Sequence, residues 1–551
     1  MPERNQGKRI IEFVAASGYK DEPELDENGK PVLRRTTAVH HATSLDYHLF
    51  KIYNRFDINY VDEDGYTHFH AACKYNRYDI VEEFLKLGQD PDCLPREPNT
   101  NSVDSPLHFA LKSSYLVGAQ KKVIELLLKS GADPNSPDKE GSTPLHVIYH
   151  CNRRLIKTFF EIIDANHLSI QIDAKDRLGR TVLHLALADK CEETAELLLT
   201  RGADPNAAMM DGSTPLHIIC QQRYDIYRAR FFFKISDDRG QVLQVNAVND
   251  LGQTPLHLAI KYNIRSLTKV LLRIGANSNL ADGDGSTPLH TICKQGSDDQ
   301  SATFLKMFLR INDAIQQTLQ VDRRDKCGMT PLQWAVAYIS PNTVDILLDR
   351  GADLSNFVFP TERYFAARWD TGESNLNIGT SGALAVVEHL EKRGYELDRS
   401  DALTIMKVFY KHGSLNTWKN FEEMCNNKCF VESAKELMIK PSKSLSLYDF
   451  IRLPLEEAMR RKLITYTDYF EFESSNLIKS FSLRRELSSC LRVAVAGQFV
   501  RQWALEIFML LTRYQLPILC CDNIIEQLTS GDLLKVCVAI GINANEQNQK
   551  M

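Results

Sequence analysis

The 551-residue sequence lacks the long apolar runs and the charged blocks that mark membrane proteins and nucleic-acid-binding proteins. Its net charge of −5 is spread along the chain, and no block of Lys and Arg offers the clustered cations that phosphate binding needs. The most apolar segment, Val493–Leu511, contains Gln498, Arg501, Gln502 and Glu506. These polar groups favour a buried or amphipathic helix over a membrane span. We therefore expect neither nucleic acid nor membrane insertion.

Signals for secretion and for disulfide formation are missing as well. The first residues, MPERNQGKRIIEFVAASGYK, contain no long apolar core and no small-residue cleavage site. Thirteen cysteines are scattered without paired spacing, which indicates free thiols in a reducing compartment. We expect an intracellular protein in the cytoplasm, with the nucleus open as a second location.

Catalytic signatures are absent from the sequence too. No Gly-rich phosphate loop stands between a strand and a helix, and nothing resembles a GxSxG elbow, an HExxH helix or a kinase signature. We predict that the chain is not an enzyme, that it binds no cofactor and that it has no metal site.

What the sequence does contain is a repeat. The six residues GSTPLH occur at 141–146, 212–217 and 285–290, and looser copies fill the first two-thirds of the chain. A period of 30–43 residues over nine units predicts a solenoid. The matching position of each copy holds His40, His70, His108, His146, His184, His217, His257, His290 and Gln333.

The residue types of one unit predict its local structure. Thr143 can cap a helix by accepting a hydrogen bond from one of its first N–H groups, and Pro144 then occupies the first helical position. A second helix, such as the one within TAELLLTRGADPN (194–206), ends at a glycine, here Gly202, that can adopt the left-handed conformation. Each unit is therefore predicted to be a helix, a turn, a second helix and a finger-like turn.

These motifs, GADPN followed by DGSTPLHIIC, resemble the ankyrin repeat over about residues 35–357. The resemblance implies an all-α fold: a solenoid of about nine helix-turn-helix repeats, followed by a smaller α-helical C-terminal domain. It also implies that the stack binds other proteins through its finger tips and concave helical face. In this family the repeated histidine bonds backbone groups of neighbouring turns. The alternative, a metal array, would need several ligands converging on one ion.

Long and short repeats alternate after His146, with gaps of 38, 33, 40, 33 and 43 residues between matching positions. The long repeats lack the GAD glycine, and we place their extra residues after the second helix, near 164–169, 236–241 and 312–317. One hypothesis is that these inserts form a ridge that contributes to a binding surface. The alternative is that they are solvated loops of tolerated length.

One finger departs from the others. In GADPNAAMMDG (202–212), Met209 stands where GADPNSPDKEG (131–141) has Asp138. An exposed Met209–Met210 pair would be an adaptable apolar contact for a target protein. Local packing between adjacent fingers is the alternative, and the sequence does not decide between the two.

The end of the chain, LPILCCDNIIEQLTSGDLLKVCVAI (516–540), predicts a pair of short apolar helices, the second capped by Asp532. The spacing resembles the start of an F-box, the module that docks on the adaptor subunit of cullin-type (SCF) ubiquitin ligases. Leu519 replaces the usual acidic residue, and only 36 residues remain from Leu516 onwards. Both departures are similar to the PRANC domain of poxviral and some insect ankyrin proteins. The matched adaptor-binding positions are Leu516, Pro517, Ile524, Ile525, Leu528 and Leu533.

The alternative is that this helix pair merely covers the core of its own domain. The resulting domain prediction is an N-terminal extension (1–34), a repeat array (35–357), a linker (358–383), a helical connector (384–440) and an F-box-like domain (441–551). The predicted function is that of a substrate receptor: the array binds a target protein that the sequence does not identify, and the last helices deliver it to an SCF-type ligase. The competing interpretation is a scaffold or inhibitor that sequesters its partner without ubiquitin transfer.

Overall fold

The computed structural model describes most of the chain, with gaps. The described residues are 3–42, 47–93, 103–113, 117–222, 226–295, 297–365, 376–411, 428–436, 438–440, 445–446, 448–449, 465–474, 484–512 and 515–548. They divide into two compact units, Met1–Asp250 and Leu251–Met551.

The first unit is built from helices joined by turns. After α1 (Glu3–Ala16) and α2 (Tyr47–Ile52), the helices come in inner and outer pairs. These pairs are α3 (His68–Lys74) with α4 (Tyr78–Lys86), α5 (Pro106–Lys112) with α6 (Val117–Lys129), α7 (Pro144–Cys151) with α8 (Leu155–Ala165), α9 (Val182–Ala188) with α10 (Glu192–Thr200), and α11 (Pro215–Gln221) with α12 (Ile226–Asp238).

The second unit begins with three more pairs and continues into helices without the repeat. The pairs are α13 (Pro255–Lys261) with α14 (Arg265–Arg273), α15 (Pro288–Cys293) with α16 (Asp298–Ala314), and α17 (Pro331–Ala337) with α18 (Pro341–Asp349). The remaining elements are α19 (Leu376–Lys392), α20 (Arg399–Lys411), α21 (Lys428–Glu436), β1 (Met438–Lys440), β2 (Leu445–Ser446), α22 (Tyr466–Ser474), α23 (Arg484–Leu511), α24 (Ile518–Gln527) and α25 (Ser530–Asn548).

The architecture is thus a helical repeat solenoid with further helices at its C-terminal end, as the sequence predicted. The exception to the all-α class is the antiparallel pairing of β1 with β2. Among the described residues no helix is both long enough and apolar enough to cross a bilayer.

The predicted ends of the repeat helices are confirmed. Thr143 has an extended backbone with φ −73° and ψ 165° and caps α7, with Pro144 in the first turn. The second helices of short repeats are followed by a glycine in the left-handed region, as at Gly202 and Gly275, where φ is 99° and 98°. A side chain at this φ would be strained, so glycine ends the helix at low cost.

The extra residues of the long repeats are mostly not where the sequence analysis placed them. They lengthen the outer helix: α8, α12 and α16 have 11, 13 and 17 residues, whereas α10, α14 and α18 have nine each. Left-handed caps are present even without the GAD glycine, at His167, Gly240 and Gln316. The extra residues therefore belong mostly to longer outer helices, and their part in a binding surface stays a hypothesis.

The C-terminal helices pack through residues far apart in sequence. Helix α19 contacts α18 and α22, while α20 and α23 both contact α25. The Oε2 atom of Glu388 on α19 accepts hydrogen bonds from the backbone N (2.6 Å) and Oγ1 (2.8 Å) of Thr467 on α22. Helix α19 includes residues 376–383, which were predicted to belong to the linker, and β1 ends at Lys440, where a domain boundary was predicted.

Candidate functional site

From His70 to His290, each repeat histidine lies at the third position of its inner helix and bonds its own N-cap. The His146 backbone N–H is donated to the Thr143 side chain, and in return His146 Nδ1 lies 3.3 Å from Thr143 N and 2.9 Å from Thr143 Oγ1. Because Nδ1 accepts from a backbone N–H, the ring proton is on Nε2. The threonine and the histidine therefore satisfy the unpaired groups at the helix start together.

In several repeats the other ring nitrogen connects the repeat to the next finger. His146 Nε2 donates to Arg180 O at 3.0 Å, and His108, His257 and His290 make the same contact with Ser142, Ser286 and Met329 at 3.1, 3.0 and 3.1 Å. In the last repeat the Gln333 side chain makes both kinds of hydrogen bond. It accepts from Thr330 N at 2.8 Å and donates to Val358 O at 2.8 Å. These side chains stabilise the array and are not available to a partner.

Burial keeps the repeat histidines neutral. Removal from water lowers the pKa of His184 and of His290 to about 4, and it also lowers the pKa of His146. Hydrogen bonds to backbone carbonyls act in the opposite direction but are the smaller effect. Within the part of the chain that the structure describes, no group of three His, Cys, Asp or Glu side chains could hold a metal ion.

In the finger turns between the helix pairs, aspartate side chains accept hydrogen bonds from backbone N–H groups. Asp138 Oδ1 accepts the N–H groups of Glu140 and Ser142 at 2.9 and 2.8 Å, which closes the turn. In the finger where Met209 replaces this aspartate, Asp211 accepts Ser213 N at 2.9 Å and Ser213 Oγ at 3.1 Å instead. The finger thus keeps an aspartate-bonded turn although the usual position has become apolar.

The structure places the two predicted target-binding methionines differently. Met209 is half-buried, whereas the side chain of Met210 is 74% exposed. The Met210 backbone is packed, since its N–H donates to Leu178 O at 3.1 Å. Leu178 and Val248 on the neighbouring fingers are exposed as well. We call Leu178, Met210 and Val248 the finger patch.

Comparison with known proteins agrees with this geometry. The sequence profile for ankyrin repeats matches three times, at residues 8–138, 107–209 and 263–357, and so covers more than half of the chain. The chain belongs to the ankyrin-repeat family.

The similar proteins share the repeats and extend beyond them. The human B-cell lymphoma 3 protein (Homo sapiens) is 30% identical over 233 residues, which are 41% of this chain and 47% of that protein. The E3 ubiquitin-protein ligase KEG of Arabidopsis thaliana is 26% identical over 403 residues, 70% of this chain and 22% of that protein. The match therefore spans half or less of each relative's length. The crystal structure of the ankyrin repeat domain of Bcl-3 is 26% identical, covers 44% of this chain and all of that domain, and has a TM-score of 0.36.

Beyond the ankyrin repeats, the predicted adaptor-binding residues fall into two groups. Leu516, Pro517 and Ile524 are exposed, and Leu528 is half-buried. Ile525 is only 7% exposed and Leu533 is fully buried, because both point into the packing of α24 and α25 on α23. As they lie in this structure, these two residues hold the helix pair in place and do not face a partner.

The sequence analysis missed the most exposed residues of this region. Leu519 is 77% exposed and Ile518 is exposed beside it, yet Leu519 was interpreted only as a departure from the F-box pattern. The uninterrupted apolar run LPIL (516–519) was the signal, because four such residues at a helix start cannot all face one core. We call Leu516, Ile518, Leu519 and Ile524 the α24 apolar surface.

Two polar contacts fix this helix pair on α23. Arg501 donates from Nη2 to Leu528 O at 3.1 Å and from Nη1 to Ile525 O at 3.4 Å, which binds the carbonyls at the end of α24. Helix α25 starts after Thr529, so the predicted capping residue Asp532 lies at its third position. The Asp532 carboxylate accepts from Thr529 Oγ1 at 2.6 Å, and this bond lowers the pKa of Asp532.

Proposed function

We propose that this chain is a non-enzymatic substrate receptor. Its ankyrin repeats bind a target protein, and its α24 apolar surface binds the adaptor subunit of an SCF-type ubiquitin ligase. The observation that carries the proposal is the exposure of Leu516, just before α24, and of Ile518, Leu519 and Ile524 on α24, a helix that packs on α23. The role would be exercised inside the cell, in the cytoplasm or the nucleus, where such ligases act.

The energetics of this surface favour a partner. Burying one exposed Leu or Ile side chain releases about 1.5–3 kcal/mol, and a few such residues can supply most of the energy of a helix-in-groove contact. Anchoring of α24 by Arg501 means that little ordering is needed on binding. Ile525 and Leu533 then support the contact from below without touching the partner.

The chain's own part would be positioning. A recruited ligase would supply the catalysis, and the receptor would raise the local concentration of target lysines beside it. That one relative bears the name E3 ubiquitin-protein ligase KEG supports a link between repeats of this kind and ubiquitin transfer.

A scaffold or inhibitor is the second candidate. The burial of Ile525 and Leu533 favours it, because two of the six predicted adaptor contacts serve the chain's own core. In that case the array would bind and sequester its partner, and α24 would remain uncovered.

The test is binding of a purified SCF adaptor subunit to the full chain, measured by calorimetry. Leu519→Asp places a charge on the most exposed position of the surface and should weaken binding about 30-fold or more. Leu519 is a sharper target than Leu528, because Leu528 is half-buried and its substitution would also disturb the chain's own packing. The matched control is Val242→Asp, the same kind of change at a position that is 85% exposed in the first unit.

The proposal predicts binding by the wild type and by Val242→Asp, and its loss in Leu519→Asp with an unchanged circular dichroism spectrum. Failure of the wild type to bind the adaptor would favour the scaffold interpretation. Equal binding by Leu519→Asp would overturn the assignment of this surface.

A further inference from the structure

A groove of about 540 Å³ lies between the outer helices α14 and α16. Its rim carries four cations: Lys269 and Arg273, one turn apart on α14, and Lys306 and Arg310, one turn apart on α16. Its floor is apolar. The half-buried side chains of Met307 and Ile311 line it, and Ala314 and Ile315 continue it at one end.

None of the four cations forms an ion pair with any residue that the structure describes, and all four are exposed. The nearest carboxylate on α16, that of Asp313, is bound by Arg350 on the side of α18. Four like charges around one groove repel each other, and no acidic residue lines it. The groove therefore has an excess of positive charge beside an apolar floor.

The equivalent positions of other short repeats show that this charge is specific to α14. Lys269 and Arg273 lie five positions and one position before the C-cap of α14. The same two positions are occupied by Glu196 and Thr200 in α10 and by Asp345 and Asp349 in α18. Ankyrin packing therefore does not require cations here.

At α18 the same two positions already bind a helical segment by charge. Helix α19 packs on α18, and Arg393, just after its end, donates to Asp349 at 2.5 Å and lies 3.5 Å from Asp345. His389 Nδ1 lies 3.3 Å from Asp345. The outer face of a short repeat can thus receive a helix through charges of opposite sign at these two positions.

We infer that the α14–α16 groove binds an acidic amphipathic segment of a partner protein. Carboxylates of that segment pair with Lys269, Arg273, Lys306 and Arg310, and its apolar side chains lie on Met307 and Ile311. Nucleic acid fits less well, because it has no apolar side chains for this floor and because the chain as a whole is acidic. The inference deepens the target-binding half of the proposed function and rests on it.

The probe is a synthetic helical peptide of about five turns with Glu residues flanking a Leu stripe, labelled for fluorescence anisotropy with the full chain. Lys269→Glu combined with Arg273→Glu should weaken its binding at least about 30-fold, because two attractive pairs become repulsive. The matched control is Arg230→Glu with Lys234→Glu on α12, which also removes two exposed cations from one outer helix. This control should change the affinity less than about threefold.

Two further arms make the result specific. A peptide with Lys in place of Glu should bind the double α14 variant more tightly than it binds the wild type, because two of the four rim charges have changed sign. Met307→Ser should weaken binding of the Leu-striped peptide, because the apolar floor is lost. Stronger binding of single-stranded DNA of equal charge, equal binding of a scrambled peptide, or equal loss in the α12 control would overturn the inference. Adaptor capture through α24 involves other residues, so its failure would leave this result standing, and the reverse also holds.

Discussion

The ankyrin repeats and the C-terminal helices are stabilised in different ways. In the repeats the polar contacts connect one unit with the next: His146 to Arg180, or Tyr149 to Asp189, are 34 and 40 residues apart. In the C-terminal region the contacts from Glu388 to Thr467, from Ser381 to Glu473 and from Arg399 to Glu506 span 79, 92 and 107 residues. The first region is a sum of neighbouring interfaces, whereas the second must form as a whole.

This difference has a functional consequence. A stack of similar units can change its exposed residues one repeat at a time, as the finger patch and the α14–α16 groove do, while the buried threonine and histidine contacts persist. The C-terminal helices present the α24 apolar surface. The predictions below test this contrast, beginning with the largest expected effect.

Loss of a repeat histidine should destabilise the array most. His146→Ala leaves the Thr143 N–H and the Arg180 carbonyl without their partner, which should cost about 2–4 kcal/mol in urea unfolding. His146→Gln should cost less than about 1 kcal/mol, because Gln333 already makes both bonds in the last repeat. Equal losses of unfolding free energy in the two variants would show that the hydrogen bonds of the His146 side chain do not stabilise the array.

Acid should weaken the repeats in the pH range set by these histidines. The pKa of His290 is lowered to about 4, so the folded state stays neutral while the unfolded chain binds a proton below about pH 6.5. Stability contributed by such a group is complete above pH 6.5 and is lost as the pH falls towards 4. At pH 5 the loss from His290 should be about 2 kcal/mol. In His290→Gln the free energy of unfolding should differ less between pH 7 and pH 5 than it does in the wild type. An unchanged difference would show that His290 does not cause the loss of stability in acid.

A substitution that removes a contact between C-terminal helices should destabilise those helices and leave the repeats unchanged. Glu388→Ala removes the acceptor for Thr467 and should cost about 1–2 kcal/mol, visible as faster hydrogen exchange in both α19 and α22. Exchange in α9 and α10 should not change. Lys392→Ala, which removes only the exposed partner of Glu388, should cost less than about 0.5 kcal/mol. Faster exchange throughout the array would mean that the two regions do not differ as described.

The smallest effect is expected at the unusual finger. Met209→Asp restores the aspartate of the other fingers but should change stability by less than about 0.5 kcal/mol, since Asp211 already supplies the turn bonds. Asp211→Ala should lower the free energy of unfolding by about 1 kcal/mol. Thermal unfolding of the two variants measures both effects. A large gain from Met209→Asp would show that the finger is strained.

The sequence predicted the repeats well and the C-terminal surface only in part, for physical reasons. Thr, Pro, His and Gly act within one unit, so their positions alone indicated the helix ends around Thr143 and Gly202. The extra residues of the long repeats were misplaced, because a helix of 17 residues and a helix of nine followed by a loop have similar periodicity. Which apolar side chains of α24 face solvent depends on α23, far away in sequence, so a helical stripe could not separate the buried Ile525 from the exposed Ile524.

The most direct test of the account is hydrogen exchange of the full chain, free and saturated with the SCF adaptor subunit. If α24 is the docking helix, amides in residues 516–527 should become protected while those of α7 to α10 keep their rates. Protection confined to the array, or none anywhere at saturating adaptor, would contradict the assignment of two separate protein-binding surfaces to the two regions.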